Sequence, residues 1–206
     1  MNPWLTLPLD DYEGHMGSAD VNQLAPLADL FGEALAHLRP RSVAVLGVAG
    51  GNGLEHVDGT LTTRVVGIDV NPAYLGATKQ RFPDLRGLEL HCSDLRHEVL
   101  DVQPVALVHA ALVFEHAGIG RCLDNAVSLV SEGGHLSVVL QLPHEAHPVV
   151  TPSRCASMAA LAADFTFVDP HQLRRVLAQR EMRLTHQARV TLSSGKVFWS
   201  GHFERA

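Results

Sequence analysis

The stretch VAVLGVAGGNG, at residues 43–53, decides the fold, because an apolar run passes directly into a turn that contains four glycines. Apolar side chains at consecutive positions over 42–47 predict a strand that is buried on both faces, as in a parallel sheet. Glycine lets a backbone approach a ligand closely, and a helix that starts there directs its N–H groups toward that ligand. We therefore expect the first strand of an α/β sheet, a ligand-binding turn and the start of a helix.

Short apolar runs and helical patterns alternate on both sides of this stretch. Further strands are predicted at 65–69, 88–91, 105–110 and 134–141, and helices at 26–38, 71–82, 118–130 and 171–179. This alternation indicates a doubly wound α/β sheet. Two final runs, 182–192 and 197–203, alternate polar and apolar residues around Ser-Ser-Gly-Lys, which predicts an antiparallel hairpin. The proline-rich stretch 143–152 is expected to form a loop over the carboxyl edge of the sheet, where ligands bind in such folds.

Composition argues against several classes of function. The 206 residues carry a formal net charge of −6 and include only two lysines, so binding of nucleic acid through its phosphates is not expected. The longest mostly apolar run, 105–114, is about half as long as a membrane-spanning helix, so no membrane partner is expected. Because Cys92, Cys122 and Cys155 are far apart and the N-terminus lacks a signal-peptide pattern, we expect a cytoplasmic protein.

Spacing separates the ligands that a glycine-rich turn can bind. A Walker A loop needs Gly-Lys-Ser or Gly-Lys-Thr, and no lysine lies near this turn. The nicotinamide pattern G-x-G-x-x-G fails at Ala49 and Asn52 when it starts at Gly47, and at His56 when it starts at Gly51. A nicotinamide-dependent oxidoreductase is therefore disfavoured.

The third pattern is the G-x-G-x-G loop that binds S-adenosylmethionine, and the turn fits it with Gly47, Gly51 and Gly53 in place and Ala49 in the middle position. Asp69 ends the second strand, where a carboxylate can accept hydrogen bonds from both ribose hydroxyls. Asp94 follows the third strand, where its oxygen can accept from an adenine amino group. Either aspartate alone would suit a solvated strand end or a helix cap, but together with the turn they favour S-adenosylmethionine.

On these residues the chain resembles the class I S-adenosylmethionine-dependent methyltransferases, and the resemblance covers most of it, from VAVLGVAGGNGLEHV to GGHLSVVLQLP and the final hairpin. It is also similar to an uncharacterised bacterial subgroup that shares a leading DYEGHM followed by VNQL. The resemblance implies a Rossmann-like sheet of seven mostly parallel strands whose last strand is antiparallel. It also implies a single domain, with a lid and helix at 1–40, a cofactor-binding core at 41–142, and a substrate-side loop and hairpin at 143–206.

The resemblance further implies S-adenosylmethionine as the cofactor. The glycine-rich turn would lie against its methionine part and ribose, the ends of the second and third strands would hold the ribose and adenine, and the leading segment would fold over it as a lid. The cofactor-binding residues implied in this way are Tyr12, His15, Met16, Gly47, Val48, Ala49, Gly51, Asn52, Gly53, Asp69, Val70, Ser93, Asp94, Leu95 and Ala110. Two positions depart from the family pattern: Val45 stands where an acidic residue is usual, and Ala49 replaces the middle glycine.

The best candidate for a catalytic base is His116, just after the fourth strand. Methyl transfer is an in-line displacement, so much of its acceleration comes from holding the reactants in line, and a base is needed only when the nucleophile is protonated. Histidine titrates near neutral pH and can take such a proton, although a histidine here can also simply pack against or cap the next helix. Glu115 is a weaker candidate, since a carboxylate there suits a helix start.

Other side chains are assigned to structure. His144 and His147 are one residue too close for the H-E-x-x-H zinc motif, so no metal is expected. Cys92 is expected to be a small buried residue at a strand end. The remaining assignments are Arg174, Arg175, Arg180 and Arg183 to a solvated helix face, and Trp4 and Trp199 to packing.

These observations predict methyl transfer from S-adenosylmethionine to an unidentified, small-molecule acceptor. The alternative is a module that binds S-adenosylmethionine or S-adenosylhomocysteine without catalysis, and the departures at Val45 and Ala49 motivate it.

Overall fold

The computed structural model describes residues 2–144, 151 and 156–206. Its strands are β1 (Ser42–Leu46), β2 (Arg64–Asp69), β3 (Leu88–Cys92), β4 (Val105–Ala111), β5 (Val130–Gln141), β6 (Met182–Thr191) and β7 (Val197–Arg205). They form one sheet in the order β3-β2-β1-β4-β5-β7-β6. Strands β1 to β5 pair in parallel, and β7 pairs antiparallel with both β5 and β6. The predicted doubly wound sheet of seven mostly parallel strands with a C-terminal antiparallel hairpin is confirmed.

Helices cover both faces of the sheet. They are α1 (Leu9–Met16), α2 (Leu24–Leu38), α3 (Pro72–Arg81), α4 (Phe114–Ala117), α5 (Arg121–Leu129), α6 (Ala159–Asp164) and α7 (Pro170–Ala178). Successive residues of β1 face opposite ways, as a strand requires. Val43 and Val45 join the core formed with α2 and α3, whereas Ala44 and Leu46 join the core formed with α5 and α7. The apolar character of this strand at consecutive positions therefore reflects burial on both faces.

The predicted helix at 118–130 is wrong in its extent. Helix α4 ends at Ala117 and α5 begins at Arg121, because Gly118 takes a left-handed conformation with φ of +75° and breaks the helical path. Strand β5 starts at Val130, four residues earlier than predicted, because Val130 pairs with Val105 ahead of an irregularity in the ladder. The glycines at 133 and 134 thus lie inside a strand and do not end a helix.

The helix expected after the glycine-rich turn is reduced to a single 3-10 turn, Leu54–His56. Asp58 explains the early end, because its Oδ1 accepts hydrogen bonds from the Thr60 N–H at 2.9 Å and the Thr60 hydroxyl at 2.6 Å. This side-chain turn competes with continued helix. Helix α3 forms as expected, since Asn71 caps it by accepting from the Ala73 N–H at 2.9 Å and Pro72 occupies its first position.

The N-terminal segment and the β6–β7 turn meet at the carboxyl edge of the sheet. Asn22 donates from Nδ2 to the Ser193 hydroxyl over 2.6 Å, which joins the segment before α2 to this turn. Leu192 in the turn shares a core with Met16 and Leu27. The described residues include no helix that is long and apolar enough to cross a membrane.

His109 in β4 makes the fold sensitive to acid. Its ring is buried, its Nδ1 lies 3.1 Å from the Ser137 hydroxyl, and burial, with help from His202, lowers its pKa to about 3. An unfolded chain takes up this proton near pH 6.5 and the native protein does not, so stability falls as pH drops below that value. Between pH 7 and pH 5 we expect His109 alone to cost about 2 kcal/mol in the free energy of unfolding.

Urea unfolding of the wild type and His109→Gln at pH 7, 6 and 5 measures this contribution. The variant loses less stability on acidification, whereas His97→Gln, at an exposed position, follows the wild type. Parallel curves for wild type and His109→Gln would show that the buried imidazole is not the source.

Candidate functional site

One cavity opens at the carboxyl edge of the sheet, where β1 to β5 end. Its lining comes from the turn after β1, the ends of the neighbouring strands, the N-terminal segment, the segment around α6 and the β6–β7 turn. The lining residues are Asn2, Trp4, Tyr12, His15, Met16, Gln23, Gly47, Ala49, Asp69, Val70, Ser93, Asp94, Leu95, Arg96, Ala111, Leu112, Val113, His116, Ala117, Gln141, Met158, Leu161, Phe165 and Lys196. Most of the sequence-predicted site residues are therefore brought together.

The turn after β1 has a left-handed backbone at four positions. Gly47, Ala49, Gly51 and Gly53 have φ values of +66°, +47°, +88° and +90°. At Gly47 a side chain would also come within 3.0 Å of Val113 Cγ2, so only glycine leaves this part of the cavity wall open. Ala49 adopts the same left-handed region as the three glycines around it, at the cost of strain on its Cβ.

Asp69 is buried at the end of β2 and fixes this turn. Its Oδ2 accepts from the Ala49 N–H and its Oδ1 from the Asn71 N–H, each over 2.9 Å. Burial raises the pKa of Asp69, and these N–H groups act in the opposite direction by stabilising the carboxylate. A carboxylate has about four lone-pair sites, so Asp69 retains capacity to accept hydrogen bonds from a ligand.

The segment after β3 forms the next part of the wall. Asp94 Oδ1 accepts from the Arg96 N–H over 2.9 Å, which turns the chain so that Ser93, Asp94 and Leu95 face the cavity. Leu95 is buried and belongs to the central core, so it offers a rigid apolar surface. An acceptor oxygen beside an apolar wall is the combination that suits the edge and face of a purine base.

The N-terminal segment closes over the cavity and is held by polar contacts on both sides. Asn71 Nδ2 donates to the Trp4 carbonyl over 2.8 Å, and the Tyr74 hydroxyl donates to the Leu7 carbonyl over 2.9 Å. In α1, Glu13 pairs with Arg81, and the guanidinium of Arg81 also reaches the Gly50 carbonyl at 3.2 Å. The segment is therefore tied to the glycine-rich turn and to α3.

Tyr12, His15 and Met16 all line the cavity, as a lid over it would require. The Tyr12 ring meets the Trp4 ring edge-on at 5.4 Å between centroids, and burial together with the nearby Asp69 charge raises the pKa of its hydroxyl. Burial and Lys196 lower the pKa of His15. These three side chains carry no charge at neutral pH and place apolar and aromatic surface against any ligand.

His116 lies in α4 with its ring held edge-on by Trp4 and Phe165, at centroid distances of 4.9 and 5.2 Å. Burial lowers its pKa to about 4, so the ring is neutral at pH 7. Its Nδ1 is buried and has no hydrogen-bond partner among the described residues. Arg96 bonds to the His116 carbonyl and reaches Asp164 Oδ2 at 2.6 Å, which fixes α4 against α6. His116 thus presents an uncharged imidazole at the cavity wall.

Glu115, the weaker candidate, does not line the cavity. It is buried, its Oε1 accepts from the Gln141 N–H over 2.8 Å, and burial raises its pKa to about 8. The carboxyl group is therefore mostly protonated at neutral pH and holds the end of β5 in place.

Five of the sequence-predicted binding residues lie outside the cavity lining: Val48, Gly51, Asn52, Gly53 and Ala110. Val48 and Ala110 point into the cores on opposite faces of the sheet. A side chain at Gly51 or Gly53 would meet Phe82 or Phe31, so these glycines allow the turn to pack on the core beneath it. Asn52 donates to the Leu24 carbonyl over 2.9 Å and anchors α2.

Sequence reasoning missed other lining residues, and Trp4, Gln23, Phe165 and Lys196 are the most prominent. Trp4 is a cavity residue, contrary to its assignment to packing alone, whereas Trp199 is buried in the central core as expected. The aromatic Trp4 in a segment already read as a lid was an available signal. Phe165 and Lys196 carry no local motif, since only the tertiary fold brings them to this edge.

Three further assignments made from the sequence have different outcomes in the structure. Cys92 is exposed, contrary to expectation, because β3 is the edge strand of the sheet. Arg180 pairs with Asp124 at 2.7 Å and Arg183 lies in β6, so the four late arginines do not share one helix face. His147 and Cys155 lie outside the described residues; within the described ones, no group of three or more histidine, cysteine or acidic side chains could hold a metal.

No protein-family model matches the chain, and no curated protein sequence matches it. Solved structures of other proteins do match the chain. The N-methyltransferase NodS from Bradyrhizobium japonicum WM9, in complex with S-adenosyl-L-homocysteine, aligns with a TM-score of 0.68 and 14% identity over 100% of this chain and 99% of that one. Magnesium protoporphyrin IX methyltransferase (ChlM) from Synechocystis PCC 6803, with bound S-adenosylhomocysteine, aligns with a TM-score of 0.71 and 11% identity over 98% and 96%.

A third similar structure is the 1,6-didemethyltoxoflavin-N1-methyltransferase from Burkholderia thailandensis, with bound 1,6-didemethyltoxoflavin and S-adenosylhomocysteine. It aligns with a TM-score of 0.67 and 14% identity over 96% of this chain and 84% of that one. At these identities the likeness establishes the fold, and the chain has the Rossmann-like fold of the class I methyltransferases.

Because the backbone at Ala49 is strained, we expect the stability of the protein to respond unusually when this residue is replaced by glycine. A left-handed L-residue costs about 1–2 kcal/mol, and glycine removes that cost while adding about 0.5–1 kcal/mol of chain entropy on unfolding. Ala49→Gly is therefore expected to leave the free energy of unfolding unchanged or to raise it by up to about 1.5 kcal/mol.

The matched control is Ala36→Gly at an exposed position inside α2, which should lose about 1 kcal/mol. Urea titrations of both variants give the comparison. Equal losses in the two proteins would mean that Ala49 bears no strain.

Proposed function

We propose that the chain binds S-adenosylmethionine and transfers its methyl group to a small-molecule acceptor. The observation that carries this proposal is the placement of Asp69 and Asp94 beside the left-handed turn at Gly47, all opening into one cavity on a methyltransferase fold. Three proteins of similar structure were solved with S-adenosylhomocysteine, the product that such a reaction leaves.

The residues present fit this cofactor. Asp69 is a buried carboxylate whose charge is supported only in part by backbone N–H groups, and two ribose hydroxyls would donate the bonds that it still lacks. Val70 and Leu95 offer apolar surface for the adenine, with Asp94 at its edge. Gly47 and Ala49 would lie against the methionine part, and Tyr12, His15 and Met16 would close the lid over it. When bound, the cofactor supplies an electrophilic methyl group on a positively charged sulfur.

The chain's own contribution to the reaction is to exclude water and to hold the acceptor. Met158, Leu161 and Phe165 give the cavity an apolar side next to His116. An apolar, partly covered cavity of this kind suits a small molecule. Two of the similar proteins are named for small-molecule acceptors, magnesium protoporphyrin IX and 1,6-didemethyltoxoflavin. Where the acceptor carries a proton on its nucleophilic atom, the neutral imidazole of His116 accepts that proton.

The direct test is calorimetric titration of the purified protein with S-adenosylmethionine, S-adenosylhomocysteine and NAD⁺. We expect micromolar binding of the first two and none of the third. Replacing Asp69 with alanine should weaken the affinity for S-adenosylhomocysteine tenfold or more, because a hydrogen bond to a charged group contributes about 1.5–3 kcal/mol. Asp84→Ala, at an exposed loop position, is the matched control and should bind as the wild type does.

The outcomes separate the candidate functions. Unchanged affinity in Asp69→Ala would contradict the ribose role, and binding of NAD⁺ alone would overturn the proposal. Binding of S-adenosylhomocysteine together with no turnover on any phenol, amine, thiol or carboxylate would favour the alternative of a non-catalytic binding module, which the departures at Val45 and Ala49 motivate.

The variant His116→Gln tests whether His116 acts as the catalytic base. With an acceptor that must lose a proton, we expect turnover to fall by about 10²–10⁴. Because the pKa of His116 lies near 4, wild-type turnover should be level around neutral pH and decline only in acid, as the imidazole becomes protonated. The variant should lose that acid limb while retaining its affinity for S-adenosylhomocysteine.

His56→Gln, an exposed histidine, serves as the control in the same assay. Turnover within twofold of the wild type in His116→Gln, with the acid limb still present, would assign His116 to packing.

A further inference from the structure

Lys196 brings a positive charge into the cavity, and none of the described residues supplies a counter-ion. It is one of the two lysines of the chain, its exposed fraction is 3%, and it lines the cavity together with His15, Gln23 and Gln141. Within the described part of the chain, its ammonium makes no hydrogen bond and no ion pair. Burial lowers its pKa, and no carboxylate of the residues that the structure describes acts in the opposite direction.

The backbone around Lys196 holds the side chain in this position. The Leu192 N–H donates to the Lys196 carbonyl over 2.8 Å, and the Gly195 N–H donates to the Leu192 carbonyl over 2.9 Å in the same turn. Next to it, the Leu142 N–H donates to the Val197 carbonyl over 2.9 Å and ties the turn to β5. A tight turn at the edge of the cavity thus fixes the backbone at Lys196, and the side chain lines the cavity.

Placing an ammonium group in a partly buried position without a partner is costly, and an anion that binds beside it offsets that cost. Carboxylates and phosphates both form short, charge-assisted bonds with lysine, and a carboxylate matches the single positive charge of one ammonium group. We infer that Lys196 is a binding residue for a carboxylate that a ligand brings into the cavity. This inference rests on the proposed function, which names the cofactor and the methyl acceptor as the ligands of the cavity.

The position of Lys196 leaves the methyl acceptor as one source of this carboxylate, since the lysine lies away from the residues that would hold the adenosine. Lys196 immediately precedes β7, and β1, β4 and β5 separate β7 from β2, where Asp69 lies. With about 4.8 Å between neighbouring strands, β7 is about 19 Å from β2. The lysine therefore enters the cavity from the end opposite to the two acidic residues. The methionyl carboxylate of the cofactor is the other source with the same chemistry, and the experiment distinguishes the two.

The test compares the wild type with Lys196→Met, Lys196→Arg and the control Lys79→Met, which removes the other, exposed lysine. Calorimetry gives the affinities for S-adenosylhomocysteine and for 5′-methylthioadenosine, which lacks the amino acid part. Benzoate, titrated into the complex with S-adenosylhomocysteine, reports a carboxylate on the acceptor side. Thermal melting of each ligand-free protein shows that the variants are folded.

If the acceptor supplies the carboxylate, Lys196→Met loses benzoate affinity tenfold or more, Lys196→Arg and Lys79→Met retain it, and S-adenosylhomocysteine binds all four proteins alike. If the cofactor supplies it, Lys196→Met loses affinity for S-adenosylhomocysteine and not for 5′-methylthioadenosine. The ligand-free Lys196→Met protein should melt no lower than the wild type, because an uncompensated charge is removed.

The inference is overturned if Lys196→Met binds both carboxylates as the wild type does, or if the wild type binds no benzoate and the affinity for S-adenosylhomocysteine is unchanged. Failure of the proposed function has a different signature. In that case neither adenosyl compound binds the wild type, while benzoate binding to the ligand-free protein still depends on Lys196.

Discussion

The buried carboxylate of Asp69 is the interaction on which the geometry of the cavity depends. Its oxygens accept hydrogen bonds from N–H groups of two separate segments, at Ala49 after β1 and at Asn71 after β2. The carboxyl ends of these two neighbouring strands are therefore fixed relative to each other. Asn71 in turn caps α3 and donates to the Trp4 carbonyl, which brings the N-terminal segment to the same corner. Because a buried charge must keep its partners, the turn, the helix start and the lid form one connected unit.

The sequence predicted the parts of this unit that depend on strand order. Once apolar runs identified parallel strands, residues that follow them had to share one edge, and Asp69 and Asp94 were placed correctly for that reason. Residues whose position depends on tertiary packing gave no such signal. Trp4 bonds to Asn71, 67 positions later, and Lys196 reaches the cavity only because β7 pairs antiparallel with β5. No local periodicity encodes either contact.

Local signals failed where two of them competed. The 118–130 pattern indicated a helix, but its two ends did not become helical. Val130 pairs with Val105 and so belongs to β5, and Gly118 breaks the helix at the other end.

Ala49 shows the opposite case. Its identity departs from the family pattern, yet it adopts a left-handed backbone with φ of +47°, so a residue other than glycine is accommodated in this turn. Val45, the other departure, is buried in the core beneath the turn, where an unpaired carboxylate would be costly.

The distribution of charge in the cavity fits a ligand that is positive at its reactive centre. The acidic residues Asp69 and Asp94 lie toward β2 and β3, Lys196 lies beyond β5, and His116 is neutral because burial lowers its pKa to about 4. A protonated histidine at the wall would repel a sulfonium in a medium of low dielectric constant, where like charges interact strongly. The burial that makes His116 a weak base would thus also keep a second positive charge away from the methyl donor that we propose. Packing by Trp4 and Phe165 produces this burial, so the same contacts would serve the binding of a cationic cofactor.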